Sequence, residues 1–241
     1  MKRFLLLILL IGALSAKAQN VQLHYDFGNR LYKSETKDSR PSLVSTVEMF
    51  RADKFGSTFF FVDMEYYKGV NKAYWEISRE LNFWQNSKLS WLSAHIEYNG
   101  GVSGVWGTYD DAFLFGATYS GHSKDFSKTW SITASYKLIT KNAVTAHNFQ
   151  ITAVWGIKFL KGYMSFSGFI DFWREHWGDT QYIIMAEPQL WFNFNAIKGC
   201  EKFNLSIGSE VEISNNVTVW KLWLSYPPFF HSISPQTEQT R

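Results

Sequence analysis

Cysteine and proline are scarce, with one Cys and five Pro in 241 residues. A single thiol, Cys200, excludes an internal disulfide scaffold, and so little proline excludes a proline-rich linker protein. Long hydrophobic runs are also missing. Past the first few residues no uninterrupted apolar stretch approaches the ~18 to 20 residues of a spanning helix, which excludes a bundle of membrane helices. Aromatic residues, by contrast, are abundant: 21 Phe, 12 Tyr and 11 Trp make up 18% of the chain. With 46% hydrophobic and 19% charged residues the chain is too apolar for intrinsic disorder, and a packed structure is expected.

The N-terminus bears on compartment. Lys2 and Arg3 precede an apolar run from Phe4 to Leu14, and Ala16-Lys17-Ala18 supplies small residues at a secretory cleavage site before Gln19. Residues 1–18 therefore read as a signal peptide. Eleven apolar residues are few for an N-terminal membrane anchor, and no cysteine follows the cleavage site to carry a lipid. Removing Lys2, Arg3 and Lys17 from 24 basic residues leaves 21, against 21 acidic ones, so the basic pI carries no expectation of nucleic acid.

Along the remaining chain, apolar and polar residues alternate with period 2 in segments of about ten, separated by polar or glycine-containing turns. Twelve strands are predicted: Val21–Gly28, Ser42–Phe50, Ser57–Tyr67, Ala73–Trp84, Leu89–Tyr98, Ala112–Ser120, Thr129–Leu138, Asn148–Phe159, Gly162–Phe172, Gln181–Phe194, Lys202–Ser214 and Val217–Tyr226. Such lengths exceed the usual ~5 to 6 residues of soluble sheets and suit tilted strands that cross a membrane. No linker or composition break divides the series, so 19–226 is expected to be one domain.

The alternation has a chemical direction. Trp130, Ile132, Ala134, Tyr136 and Leu138 share one face of their segment, and Thr129, Ser131, Thr133, Ser135 and Lys137 share the other. In a soluble sandwich the apolar face would be the core; in a membrane barrel it meets lipid and the polar face lines the inside. Trp84, Trp91, Trp130, Trp173 and Trp191 lie near predicted strand ends, where an interfacial girdle would hold them. Connection lengths fit in most places: Asn29–Pro41, Asn99–Asp111, Ile139–His147 and Trp173–Thr180 are long outer loops and Arg51–Gly56, Gln85–Lys88 and Leu160–Lys161 are tight inner turns, whereas the outer Lys68–Lys72 and Asn215–Asn216 are short and the inner Gly121–Lys128 is long. The fold class expected is all-β, a transmembrane antiparallel up-and-down β-barrel of about 12 strands in the outer membrane of a Gram-negative bacterium.

Carboxylates recur on the polar faces at Glu48, Asp63, Glu65, Glu76, Glu97, Glu187, Glu210 and Glu212. Ionised groups avoid lipid, so these require a wet or paired interior, with Lys137, Lys158 and Arg79 as candidate partners. Either ion pairs plug a narrow lumen or the acids line a solute channel. Arg79 has the parity of Trp75, Ile77, Leu81 and Phe83, which points it toward lipid near mid-strand; a bulge near Ser78 is expected to relieve this. The six histidines lack metal-ligand spacing, no nucleophile motif of the G-x-S-x-G kind occurs, and Gly100, Gly101 and Gly104 lack the following helix of a nucleotide fingerprint. Neither an enzyme nor a metal or cofactor protein is expected.

The stretch Ser42–Tyr67 (SLVSTVEMFRADKFGSTFFFVDMEYY), then YWEISREL at Tyr74–Leu81 and FSGFIDFW at Phe166–Trp173, resembles the Tsx family of nucleoside-specific outer-membrane channels. It resembles more closely a family of Tsx-like secreted proteins known only as a domain of unknown function. The resemblance implies a twelve-stranded barrel with a narrow lumen passing nucleosides, rings stacking on bases and charged groups binding ribose hydroxyls. Glu48, Asp63 and Glu76 carry over as the acidic positions, and Phe59 and Phe61, which share parity with Asp63 and Glu65, are the stacking candidates. With Glu97, Glu187 and Glu210 these form the expected substrate-binding set.

The C-terminus departs from that pattern. Tyr226 is followed by Pro227-Pro228 and a polar tail to Arg241, and proline cannot donate to a closing ladder. The expected partners are outer-membrane lipid, the barrel-assembly machinery and small polar solutes such as nucleosides. The expected function is passive uptake of those solutes, the alternatives being a plugged structural or surface-recognition barrel and a soluble secreted barrel.

Overall fold

A computed structural model describes residues 19–27, 41–67, 69–104, 107–140, 146–177 and 180–215. The expected signal peptide, the twelfth strand Val217–Tyr226 and the tail 227–241 lie outside the described residues, as does most of the first connection. What is described is all-β and antiparallel. The long strands are β1 (Gln19–Tyr25), β2 (Leu43–Asp53), β3 (Gly56–Tyr66), β4 (Val70–Leu81) and β5 (Leu92–Ser103). After a two-residue β6 (Gly107–Thr108) come β7 (Ala112–His122), β8 (Lys128–Ile139), β9 (His147–Phe159) and β10 (Met164–Trp177). The last four are β11 (Thr180–Ala186), β12 (Gln189–Asn193), β13 (Ser206–Glu210) and β14 (Ile213–Asn215).

Each long strand pairs with its sequence neighbour, in the order β1-β2-β3-β4-β5-β7-β8-β9-β10-β11-β14, and the sheet curls into a half-barrel. β12 continues the line of β11 along β10, and β13 pairs with β12. The predicted strand Gln181–Phe194 is thus one line broken at Glu187-Pro188. Pro188 has no N–H to give the ladder. Its carbonyl still accepts from the Val211 amide at 3.1 Å, and β13 breaks from β14 beside it. Gly168 sits opposite at φ +153, where a Cβ would lie 2.4 Å from the Glu187 carbonyl oxygen, so only glycine lets β10 pass the break.

Several boundaries differ from those predicted. β4 ends at Leu81 and β5 begins at Leu92, so the expected tight turn Gln85–Lys88 is a connection over 82–91. Asn82 leaves the ladder to donate its amide to the Phe55 carbonyl at 2.8 Å. β10 runs to Trp177 and β11 starts at Thr180, which shortens the expected long connection Trp173–Thr180. Lys202–Ser214 becomes strand only from Ser206. Connections are therefore long on both ends of the sheet, and length does not sort them as expected.

The two faces are chemically opposite. The apolar residues Ile132, Tyr136, Phe113, Phe115 and Ile151 are exposed on the convex side, while Thr133, Ser135, Lys137, Thr118 and Gln150 are buried on the concave side. This inverts the arrangement of a soluble sandwich, in which the apolar face would be covered. The predicted bulge near Ser78 is absent: β4 keeps unbroken register with β5 from Leu81 to Lys72, and its shift against β3 falls at Glu65/Tyr66. Arg79 keeps its outward parity because it stands two residues from the strand end and reaches the β2–β3 turn, where Asp53 receives it.

Candidate functional site

The concave face encloses an open cavity of ≈ 2550 Å³. All nine residues of the expected binding set, Glu48, Phe59, Phe61, Asp63, Glu65, Glu76, Glu97, Glu187 and Glu210, line it. Register explains how. Period 2 puts Phe59, Phe61, Asp63 and Glu65 on one side of β3. Pairing then sets Glu48 opposite Phe61 on β2, Glu76 opposite Phe61 on β4, and Glu210 opposite Gln189 on the far part of the sheet. Curvature closes the distance between those parts, and the His24 ring on β1 lies 6.1 Å from that of Trp191 on β12.

Aromatic rings run obliquely across the β3–β4 wall. Phe59 and Phe61 have centroids 6.1 Å apart, Phe61 and Tyr74 6.0 Å, and Tyr74 and Tyr109 6.0 Å. The Tyr74 hydroxyl donates to Glu76 at 2.6 Å. Thr46 donates to Asp63, Gln189 to Glu210, and Lys72 pairs with Glu65 at 2.9 Å.

A second cluster lies on β4, β5, β7 and β8. The His95 ring presents Nδ1 to Glu80 at 2.6 Å and Nε2 to Glu97 at 3.1 Å. Ser93 and Thr118 both donate to Glu80, and Thr118 meets the Thr133 hydroxyl at 2.8 Å. Ser93 and His95 share an acid instead of bonding each other, so the group is a hydrogen-bonded brace across four strands. His95, which has no partner at metal-ligand spacing in the sequence, is thus held between two acids. Strand pairing places Glu80 directly opposite His95, a relation that intrastrand spacing does not reveal.

Toward the end of the sheet where β3 and β8 finish, the concave side is tightly filled. Leu114, 1% exposed, packs with Ala112 and Ile139. Level with Leu114, Lys137 donates to the Gln150 side-chain carbonyl at 2.8 Å and holds its ammonium 4.7 Å from the Trp173 ring centroid. Of the expected cationic partners, only Lys137 is buried on this face: Arg79 is outside, and Lys158, which shares the parity of Gln150 and Thr152, is exposed at the end of β9. Trp173 and Trp191, expected in a girdle, point inward with Asp171 and Gln189; Trp173 is buried and donates to Glu175 at 2.9 Å. Trp91 and Trp130 are exposed near strand ends. Among the described residues no group of three or more His, Cys, Asp or Glu converges as a metal site.

A family model described as domain of unknown function (DUF5020) matches residues 18–230. The chain belongs to this DUF5020 family. No curated protein and no solved structure matches it. The DUF5020 match takes in every described strand, so the cavity wall is built wholly within it.

Proposed function

We propose that this DUF5020 protein is an outer-membrane β-barrel that lets small polar solutes, nucleosides foremost, pass by diffusion. The observation that carries the reading is the inversion of faces: exposed apolar side chains cover the convex surface while acids, hydroxyls and rings line a large concave cavity. An apolar exterior and a polar interior suit strands solvated by lipid outside and water inside. Phe59, Phe61 and Tyr74 offer faces for a base, and Glu48, Asp63 and Glu76 offer acceptors for sugar hydroxyls. Weak binding at several such places is compatible with release. Liposome swelling tests it: nucleosides should enter faster than sugars of similar size, and equal rates remove the specificity.

The filled layer at Leu114, Lys137 and Trp173 favours a second reading, a closed barrel used for structure or surface recognition. That reading expects no conductance in planar bilayers.

A further inference from the structure

Twelve Asp and Glu side chains and no Lys or Arg line the cavity among the described residues. They form a connected track. Glu76 interacts electrostatically with Glu97 and Asp171, and Glu187, on the opposite part of the curl, with Glu76, Asp63 and Glu210. Carboxylates within electrostatic reach of one another favour positive charge among them, and Lys137, which acts on Glu76, Asp171 and Glu97 from the filled end, supplies one cation.

Two further observations point to a cation of a particular kind. Ser135, 6% exposed and lining the cavity, has a side-chain oxygen with no hydrogen-bond partner, and so does Asn99, 4% exposed and set beside Glu76 in the β4–β5 register. One oxygen of Glu97 is also buried without a partner. These are acceptors awaiting donors. The wall already seats one alkylammonium, since Lys137 rests its charged end on Gln150 and the Trp173 face. The oxygens are spread along the wall instead of converging as metal ligands do. A spread row of acceptors between aromatic faces matches charges spaced along a flexible chain.

We propose that the track from Glu97 through Glu76 and Glu187 to Glu210 binds linear polyamines, with ammonium groups on the carboxylates and methylenes against Phe61. This rests on the reading of the concave face as a solute lumen and narrows its solute. Phosphorylated solutes would be repelled, and an uncharged chain would find no counter-charge.

The test is calorimetric titration of the detergent-solubilised full chain with spermidine, putrescine and uncharged triethylene glycol. Spermidine should bind about tenfold more tightly than putrescine, and triethylene glycol should give no binding heat. Raising salt from about 20 to about 200 mM should weaken spermidine severalfold. Glu187→Gln should weaken it about tenfold, whereas Lys137→Gln, which removes the resident cation, should preserve or strengthen it. Heat-modifiable gel mobility shows whether each variant is folded, and the salt and length series on the unaltered protein decides the matter if one is not. Spermidine binding that matches the glycol, ignores salt, or survives Glu187→Gln unchanged overturns the proposal. Binding in detergent needs no conduction, so a polyamine site in a barrel that conducts nothing removes the passage and keeps the site. Nucleoside flux without polyamine binding does the reverse.

Discussion

Arg79 grips Asp53 with both ends of its guanidinium, Nη1 to Oδ2 and Nη2 to Oδ1, each at 2.8 Å. Nη1 also donates to Thr58 Oγ1 at 2.9 Å. A cation on the apolar side of β4 is thereby carried to the polar β2–β3 turn, and the planar fork makes the pair bidentate. Exchanging Arg79 for Met and Asp53 for Asn should each lower the temperature at which the protein loses its fast-migrating form on a gel. The double exchange should cost no more than the worse single one, because both singles remove the same contact. Additive losses would show that the two residues act separately.

The β7–β8 turn holds an acid in a similar way. Asp125 Oδ1 accepts from the Ser123 hydroxyl at 2.6 Å, the Ser127 hydroxyl at 2.9 Å and the Ser127 amide at 3.1 Å. These donors favour the charged form and hold its pKa down to about 2, from an ordinary value of 3.8. The folded value is below the unfolded one, so the stabilisation is complete above about pH 4 and is lost as pH falls through about 2. Protease cleavage within 123–127 should rise over that window, and Asp125→Asn should be cleaved alike on both sides of it.

Much of this was legible in the sequence because period 2 is robust to small errors of strand boundary. A shift of two residues leaves every side chain on its face, which is why all nine expected binding residues reach the cavity. Cross-strand relations were not legible. Which residue faces His95 depends on the length of the β4–β5 connection, and the extra residues over 82–91 fix that register. For Trp173 and Trp191 two signals competed, nearness to a strand end and shared parity with Asp171 and Gln189, and parity prevailed. The break at Pro188 had a signal in the sequence that the predicted strand Gln181–Phe194 ran straight through: a proline in the middle of a long strand cannot complete both ladders.

Gly56 is the tightest backbone passage at the β2–β3 turn. It lies at φ +139, and a Cβ there would stand 1.9 Å from the Glu80 carbonyl oxygen. Gly56→Ala must push β4 away or change the turn, at a cost on the order of 1 to 3 kcal/mol. Urea unfolding in micelles should register it. The same exchange at Gly162, where nothing lies within 4 Å of the added carbon, retains only the strain of its φ of +90 and should cost less.

Removing the ring at Phe61 separates stacking from mere width. Phe61 lies between Phe59 and Tyr74 in the row of rings and opposite both Glu48 and Glu76 in register. A base resting on that face should gain about 1 to 3 kcal/mol, so Phe61→Leu should lower nucleoside permeation at low concentration about fivefold or more. A pentose of smaller size has no base to stack and should permeate at least as fast, because leucine is no wider than the ring it replaces. If both solutes slow together, the exchange has altered the shape of the passage; if neither changes, Phe61 does not meet the solute.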